Sequence, residues 1–110
     1  YLTTFKSFRE DLSFMLLPKE KIEGFLASNK EWKYDGNRLV RTYSFKDFAS
    51  AVEFLGVVRP LADYMNHHPD VCVNYNRVEV SITTHDEGGV TEKDLELAKK
   101  MDEVYRTLFL

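Results

Sequence analysis

Cysteine is almost missing from this sequence: Cys72 stands alone among 110 residues, which excludes an internal disulfide and suits a reducing compartment. An excess of basic charge is missing too. Fifteen lysines and arginines against eighteen aspartates and glutamates leave a formal charge of -3. The basic residues fall in scattered pairs (Lys19/Lys21, Arg38/Arg41, Lys99/Lys100), so the electrostatic footprint of a nucleic-acid binder is not present. No apolar run approaches the roughly 20 residues of a membrane span, and no signal-peptide pattern opens the chain. Low-complexity segments and clear linkers are also lacking. The expectation is a soluble intracellular domain, cytoplasmic, with a nuclear location also compatible. Because the chain opens on Tyr1 and not on Met, it is expected to be trimmed, with any targeting sequence upstream of it.

What is present suffices for one packed domain: 110 residues, 44% hydrophobic and 14% aromatic. Phe5, Phe8, Leu12, Met15 and Leu16 recur at three- and four-residue spacing, which predicts a helical N-terminal extension over residues 1–16 ahead of a domain over residues 17–110. Pro18 interrupts, and a short helix follows from Lys19 to Ser28 with Ile22, Phe25 and Leu26 on one side. Asp35-Gly36-Asn37 between Trp32–Tyr34 and Arg38–Phe45 is a hairpin signal. From Lys46 to about Met65, Phe48, Ala51, Val52, Leu55, Val58, Ala62 and Met65 predict a long helix capped by Ser44 or Asp47, with a kink or second start at Pro60. Val71–Tyr75 and Val78–Thr84 predict a second hairpin turning at Asn76-Arg77, with Val78, Val80 and Ile82 on one face and Glu79, Ser81, Thr83 and His85 on the other. A last helix opens at Thr91 and buries Leu95, Ala98, Met101, Val104, Tyr105 and Leu108. Two hairpins with helices between them indicate α+β: a four-stranded antiparallel sheet covered by helices, in the order α-β-β-α-β-β-α.

All three histidines fall between Asp63 and Asp94, at two places where regular structure ends. Histidine is the side chain that gives or takes a proton near neutrality, with an unperturbed pKa of roughly 6.5. His67-His68-Pro69 lies where the long helix must stop, because the residue before a proline is driven out of the helical region. A solvated helix end would explain the pair equally well. His85, at the end of a strand running back toward that segment, favours a common cavity. Three histidines also raise the prospect of a catalytic zinc. Adjacent histidines chelate poorly, however, H-E-x-x-H is absent, and Cys72 has no cysteine partner, so metal-free acid–base work is preferred. Asp63 stands one helical turn before His67 and could orient it or be merely solvated. Asp94 completes a capping box with Thr91. Trp32 is either core or a platform for a flat heterocycle.

Together these residues closely resemble the pterin-4a-carbinolamine dehydratase family, also known as a dimerisation cofactor of a homeodomain transcription factor. The resemblance rests on Asp63, His67-His68-Pro69, Tyr75-Asn76, Thr84-His85, Gly88-Gly89 and Asp94, supported upstream by Trp32, Tyr43-Ser44-Phe45 and Lys46-Asp47-Phe48, and it covers about residues 17–106. It implies three helices on one side of the sheet, subunits paired sheet to sheet, and tetramers formed through the long helix. The implied reaction is loss of water from 4a-hydroxytetrahydropterin to give quinonoid dihydropterin, in recycling of the cofactor of aromatic amino-acid hydroxylases, with no metal or organic cofactor. Carried over by position, His67, His68 and His85 are catalytic. His67 and His85 form the acid–base pair, and His68 binds and orients the pterin. The backbone of His67–Pro69 and of Thr84, His85, Asp86 and Glu87 grips the heterocycle, while Asp63 and Asp94 support the histidines. Two departures stand out: relatives usually have Glu at the position of Asp63, and Pro60 falls in the long helix.

The competing function is a protein-binding module of the same fold, since some relatives serve as transcription-factor partners or RuBisCO assembly factors. A metal-dependent hydrolase is the third reading. The expected partners are a pterin, further copies of the chain as dimer or tetramer, and a protein partner; neither direct nucleic-acid contact nor a membrane is expected.

Overall fold

The computed structural model of the protein describes residues 15–110. Its elements are α1 (Lys19–Ser28), β1 (Lys33–Tyr34), β2 (Leu39–Ser44), α2 (Phe48–Met65), β3 (Asp70–Asn74), β4 (Arg77–Ile82), one 3-10 turn (His85–Glu87) and α3 (Glu92–Leu108). The strands make one antiparallel sheet in the order β1-β2-β4-β3. This is the expected α+β fold.

Register fixes the two faces of the sheet. Leu39 pairs with Ile82 and Tyr43 with Val78, while Val80 lies opposite both Arg41 and Val71. Leu39, Tyr43, Val78, Val80 and Ile82 are buried, so theirs is the face that the helices cover. The other face carries Thr42, Glu79, Cys72 and Asn74, all exposed. Such one-sided burial is what alternation along an antiparallel strand produces.

The first hairpin turns as its residues predict. Gly36 takes φ 96, and the Asp35 carboxylate accepts from the amides of Asn37 (2.9 Å) and Arg38 (2.7 Å). The second hairpin turns one residue earlier than expected, at Tyr75-Asn76, with Tyr75 at φ 53. Asn76 is held by Phe45: its side-chain amide donates to Phe45 O at 3.0 Å, and Phe45 N donates to Asn76 O at 2.8 Å. That exchange leaves Tyr75 to adopt the left-handed conformation.

Asp47, not Ser44, caps α2: its carboxylate accepts from Ser50 N at 2.8 Å, and that amide holds the carboxyl below its usual value. The buried face of α2 is Ala51, Phe54, Val58 and Ala62, whereas Phe48 and Val52 are about half exposed. The helix carries more apolar residues than one face holds, so periodicity alone left its rotation open. Phe54 settles it by packing 4.7 Å from the Tyr43 ring and 5.2 Å from the Phe45 ring, centroid to centroid. The helix runs through Pro60 with no second start. Pro60 and Gly56, whose carbonyl loses its amide partner, are both exposed, where water satisfies the orphaned oxygen.

Helix α3 buries Leu95, Leu97, Ala98 and Met101, while Leu108, expected inside, is exposed. The helix expected over residues 1–16 lies outside the described residues except for Met15 and Leu16, which are not helical; Leu16 forms an antiparallel bridge with Thr91. One polar residue anchors the core. Asp102 is buried and accepts from Trp32 Nε1 (2.9 Å), Tyr43 OH (2.6 Å) and Arg41 (2.7 Å).

Candidate active site

The site begins where α2 ends. Asn66 takes φ 52, its amide donates to Asp63 O at 3.1 Å, and the His67 amide donates to Ala62 O at 3.0 Å. This is a Schellman stop made by asparagine; it ends the helix three residues before Pro69. The chain therefore changes direction between Asp63 and the two histidines, and their side chains diverge. His67 is almost wholly buried and its Nε2 lies 2.5 Å from Asp94 Oδ1. His68 is exposed and its Nε2 lies 2.9 Å from Asp63 Oδ1. Asp63 thus partners His68 and not His67: the helical spacing that predicted otherwise stops applying at Asn66.

The hydrogen bond from His68 holds the Asp63 carboxyl below the usual 3.8, with Arg59 adding a smaller effect in the same direction. Arg59 Nε stands 3.4 Å from the other carboxylate oxygen. This acid is at the rim, open to solvent.

Asp94 is the opposite case, with no exposed surface. It is the third residue of α3, and its Oδ2 accepts from Thr91 N at 2.8 Å and from Thr84 Oγ1 at 2.8 Å. The capping interaction expected from the sequence is present, and the same carboxylate reaches the imidazole of His67 with its other oxygen.

The third histidine does not end a strand. Strand β4 stops at Ile82, Thr83 and Thr84 are buried, and His85 opens the 3-10 turn. Thr83 is held inward because its hydroxyl donates to Asn37 O at 2.8 Å. His85 is largely exposed, with Nε2 3.8 Å from Asp70 Oδ2, beyond hydrogen-bond length.

A hollow of about 280 Å³ gathers these parts: His67 and His68 from the helix end, Thr84, His85 and Asp86 from the strand end, and also Asn66 and Thr83. The last two were not foreseen, although Asn just after a periodic helix is a recognisable stop signal. Pro69 is half-buried and Glu87 exposed beside the hollow without lining it. Trp32 lies apart, buried in the core on Asp102. A second hollow of about 270 Å³, between α2 and α3, is lined by Leu61, Lys100, Glu103, Val104, Thr107 and Leu108. It has no histidine, and volume does not choose between the two; chemistry does. Among the described residues, no group of three or more His, Cys, Asp or Glu side chains is placed to share one metal ion.

Three imidazoles around one open hollow, one of them braced on a buried carboxylate, make a small-molecule-sized site equipped for proton transfer. Comparison with known proteins carries this further. The family described as Pterin 4 alpha carbinolamine dehydratase matches residues 15–104, and the chain belongs to that family. A relative from Sulfolobus acidocaldarius, provisionally named a pterin-4-alpha-carbinolamine dehydratase, is 49% identical over 82% of this chain and 99% of its own. One of the same name from Sulfurisphaera tokodaii is 52% identical over 80% of this chain and 95% of its own. Among solved structures, the transcriptional coactivator/pterin dehydratase of Brucella melitensis superimposes with a TM-score of 0.76 at 36% identity, covering 80% of this chain and 96% of that one. A pterin dehydratase-like RuBisCO assembly factor of the alpha-carboxysome, 19% identical with a TM-score of 0.57 over 67% of this chain and 88% of its own, shares the fold.

Proposed function

We propose that this protein dehydrates 4a-hydroxytetrahydropterin to quinonoid dihydropterin by histidine acid–base chemistry without a metal, as a step in recycling a tetrahydropterin cofactor. The observation that carries the reading is the convergence of His67, His68 and His85 on one hollow, with His67 braced on buried Asp94. Membership of the family and the names of its close relatives support the substrate. The reaction breaks the C4a–O bond, and the departing hydroxyl leaves as water after taking a proton from an imidazolium. A neutral imidazole takes the ring N–H proton released as the quinonoid forms. His67 and His85 are the acid–base pair; His68, tethered to Asp63 at the rim, orients the heterocycle. Backbone around His67–Pro69 and Thr84–Glu87 supplies the remaining contacts. The same reading takes the protein to be cytoplasmic and self-associating, as a dimer or tetramer. No described helix is long and apolar enough to cross a membrane.

Stopped-flow absorbance of freshly generated 4a-hydroxytetrahydropterin, with and without the protein and with EDTA present, tests the proposal. Acceleration that survives the chelator is expected. Acceleration abolished by EDTA would replace the metal-free mechanism. No acceleration from folded protein would leave the second reading, a protein-binding module of the same fold, which the likeness to a coactivator/dehydratase favours.

A further inference from the structure

We infer that Thr84 is a positioning residue, whose hydroxyl holds the Asp94 carboxylate and through it the orientation of the His67 ring. This inference rests on the reading of His67 as an acid–base group. Thr84 is buried, and its Oγ1 lies 2.8 Å from Asp94 Oδ2 and 2.8 Å from the hydroxyl of Thr91. A hydroxyl has one proton to give. With that proton on the Asp94 carboxylate, the Thr91 hydroxyl must donate to Thr84, so a chain of donors runs Thr91 to Thr84 to Asp94. The Thr91 amide adds a further donor to the same Oδ2. As a carboxylate Asp94 only accepts, and its Oδ1 therefore takes the proton of His67 Nε2. The ring is thereby committed to Nε2–H, and Nδ1 keeps the lone pair with which a neutral imidazole accepts a proton.

Without the hydroxyl of Thr84, Oδ2 retains one donor of two. The carboxylate is no longer pinned on both sides, and the plane it offers His67 is free to turn. Thr84 lines the hollow, but its hydroxyl is engaged with Asp94 and Thr91, so its loss should fall on turnover more than on binding.

The test uses Thr84→Val, which keeps the volume and removes the donor, and Thr84→Ser, which keeps the donor. Long-range proton–nitrogen NMR of the His67 ring in the free protein is expected to show the Nε2–H tautomer in all three proteins, because Asp94 accepts from it in each, with the hydrogen-bonded Nε2–H signal sharp and downfield in the wild type and Thr84→Ser, and broadened and shifted upfield in Thr84→Val. In the dehydration assay, kcat of Thr84→Val is expected to fall about tenfold, the low end for losing an outer hydrogen-bond partner of a functional histidine, with KM within about twofold and recovery in Thr84→Ser. An unchanged His67 ring signature in Thr84→Val overturns the inference, whatever happens to the rate. A Thr84→Ser variant as impaired as Thr84→Val also overturns it. If the wild type fails to accelerate dehydration, the dehydratase reading falls, while the ring signature still decides whether Thr84 governs His67.

Discussion

His67 and His68 are neighbours in sequence with different surroundings: one is largely covered and rests on the buried Asp94 carboxylate, the other exposed on Asp63. Their substitutions should therefore differ in kind. His67→Ala and His85→Ala are each expected to slow dehydration by about ten- to a hundred-fold, the low end of acid–base contributions, with circular dichroism unchanged. Full activity in both folded variants would dismiss the acid–base assignment. His68 is read out through its partner. Asp63 should titrate below 3.8 because His68 donates to it, and in His68→Ala its midpoint, followed by carboxyl-carbon NMR, should move back up toward that value. The sign follows: a depressed folded pKa means that the Asp63–His68 contact stabilises above about pH 3.8 and is lost as pH falls through the lowered value. The contact is solvent-exposed, so its share of overall stability is small.

At the scale of elements, sequence and structure agree where a local signal had one solution and differ where it had two. Asp35-Gly36-Asn37 specifies its turn through backbone bonds that its own residues supply. The order of strands and helices, the capping role of Asp94 and the grouping of the histidines were likewise legible. The rotation of α2 was not, because Phe48/Val52 and Ala51/Phe54 offer competing apolar faces and only the Tyr43 and Phe45 rings decide between them. Nor could Asp63's partner be read off, since a single left-handed residue, Asn66, resets the helical phase. Pro60 gives this scale its test. It occupies an exposed position inside a continuous α2, so Pro60→Ala restores a donor to the Gly56 carbonyl. The urea midpoint should rise, by an equivalent of about 1–3 kcal/mol, with the slope unchanged. A lower midpoint would mean that the proline ring makes contacts that outweigh the missing bond.

Across the whole molecule, Asp102 joins what the sequence keeps far apart: Trp32 before β1, Arg41 and Tyr43 in β2, and α3 itself. Trp32 was legible only as core or platform, because its partner lies 70 residues away. Burial and the Asp102 bond together push the Tyr43 phenol well above its usual 10.0, so the ring stays neutral throughout the neutral range. Asp102→Ala would strand the nearly buried Arg41 guanidinium and two further donors, and is expected to cost about 3–5 kcal/mol by urea unfolding; a loss under about 1 kcal/mol would show that water replaces the carboxylate. Asp94 makes a different connection. One of its oxygens secures the first turn of α3 and the other secures the imidazole of His67. Helix ends fray in ordinary thermal motion, and each time this one frays the carboxylate is drawn off the ring. On warming, competence should accordingly fade while the sheet is still intact, in step with hydrogen exchange at the Thr91 amide and not with global melting.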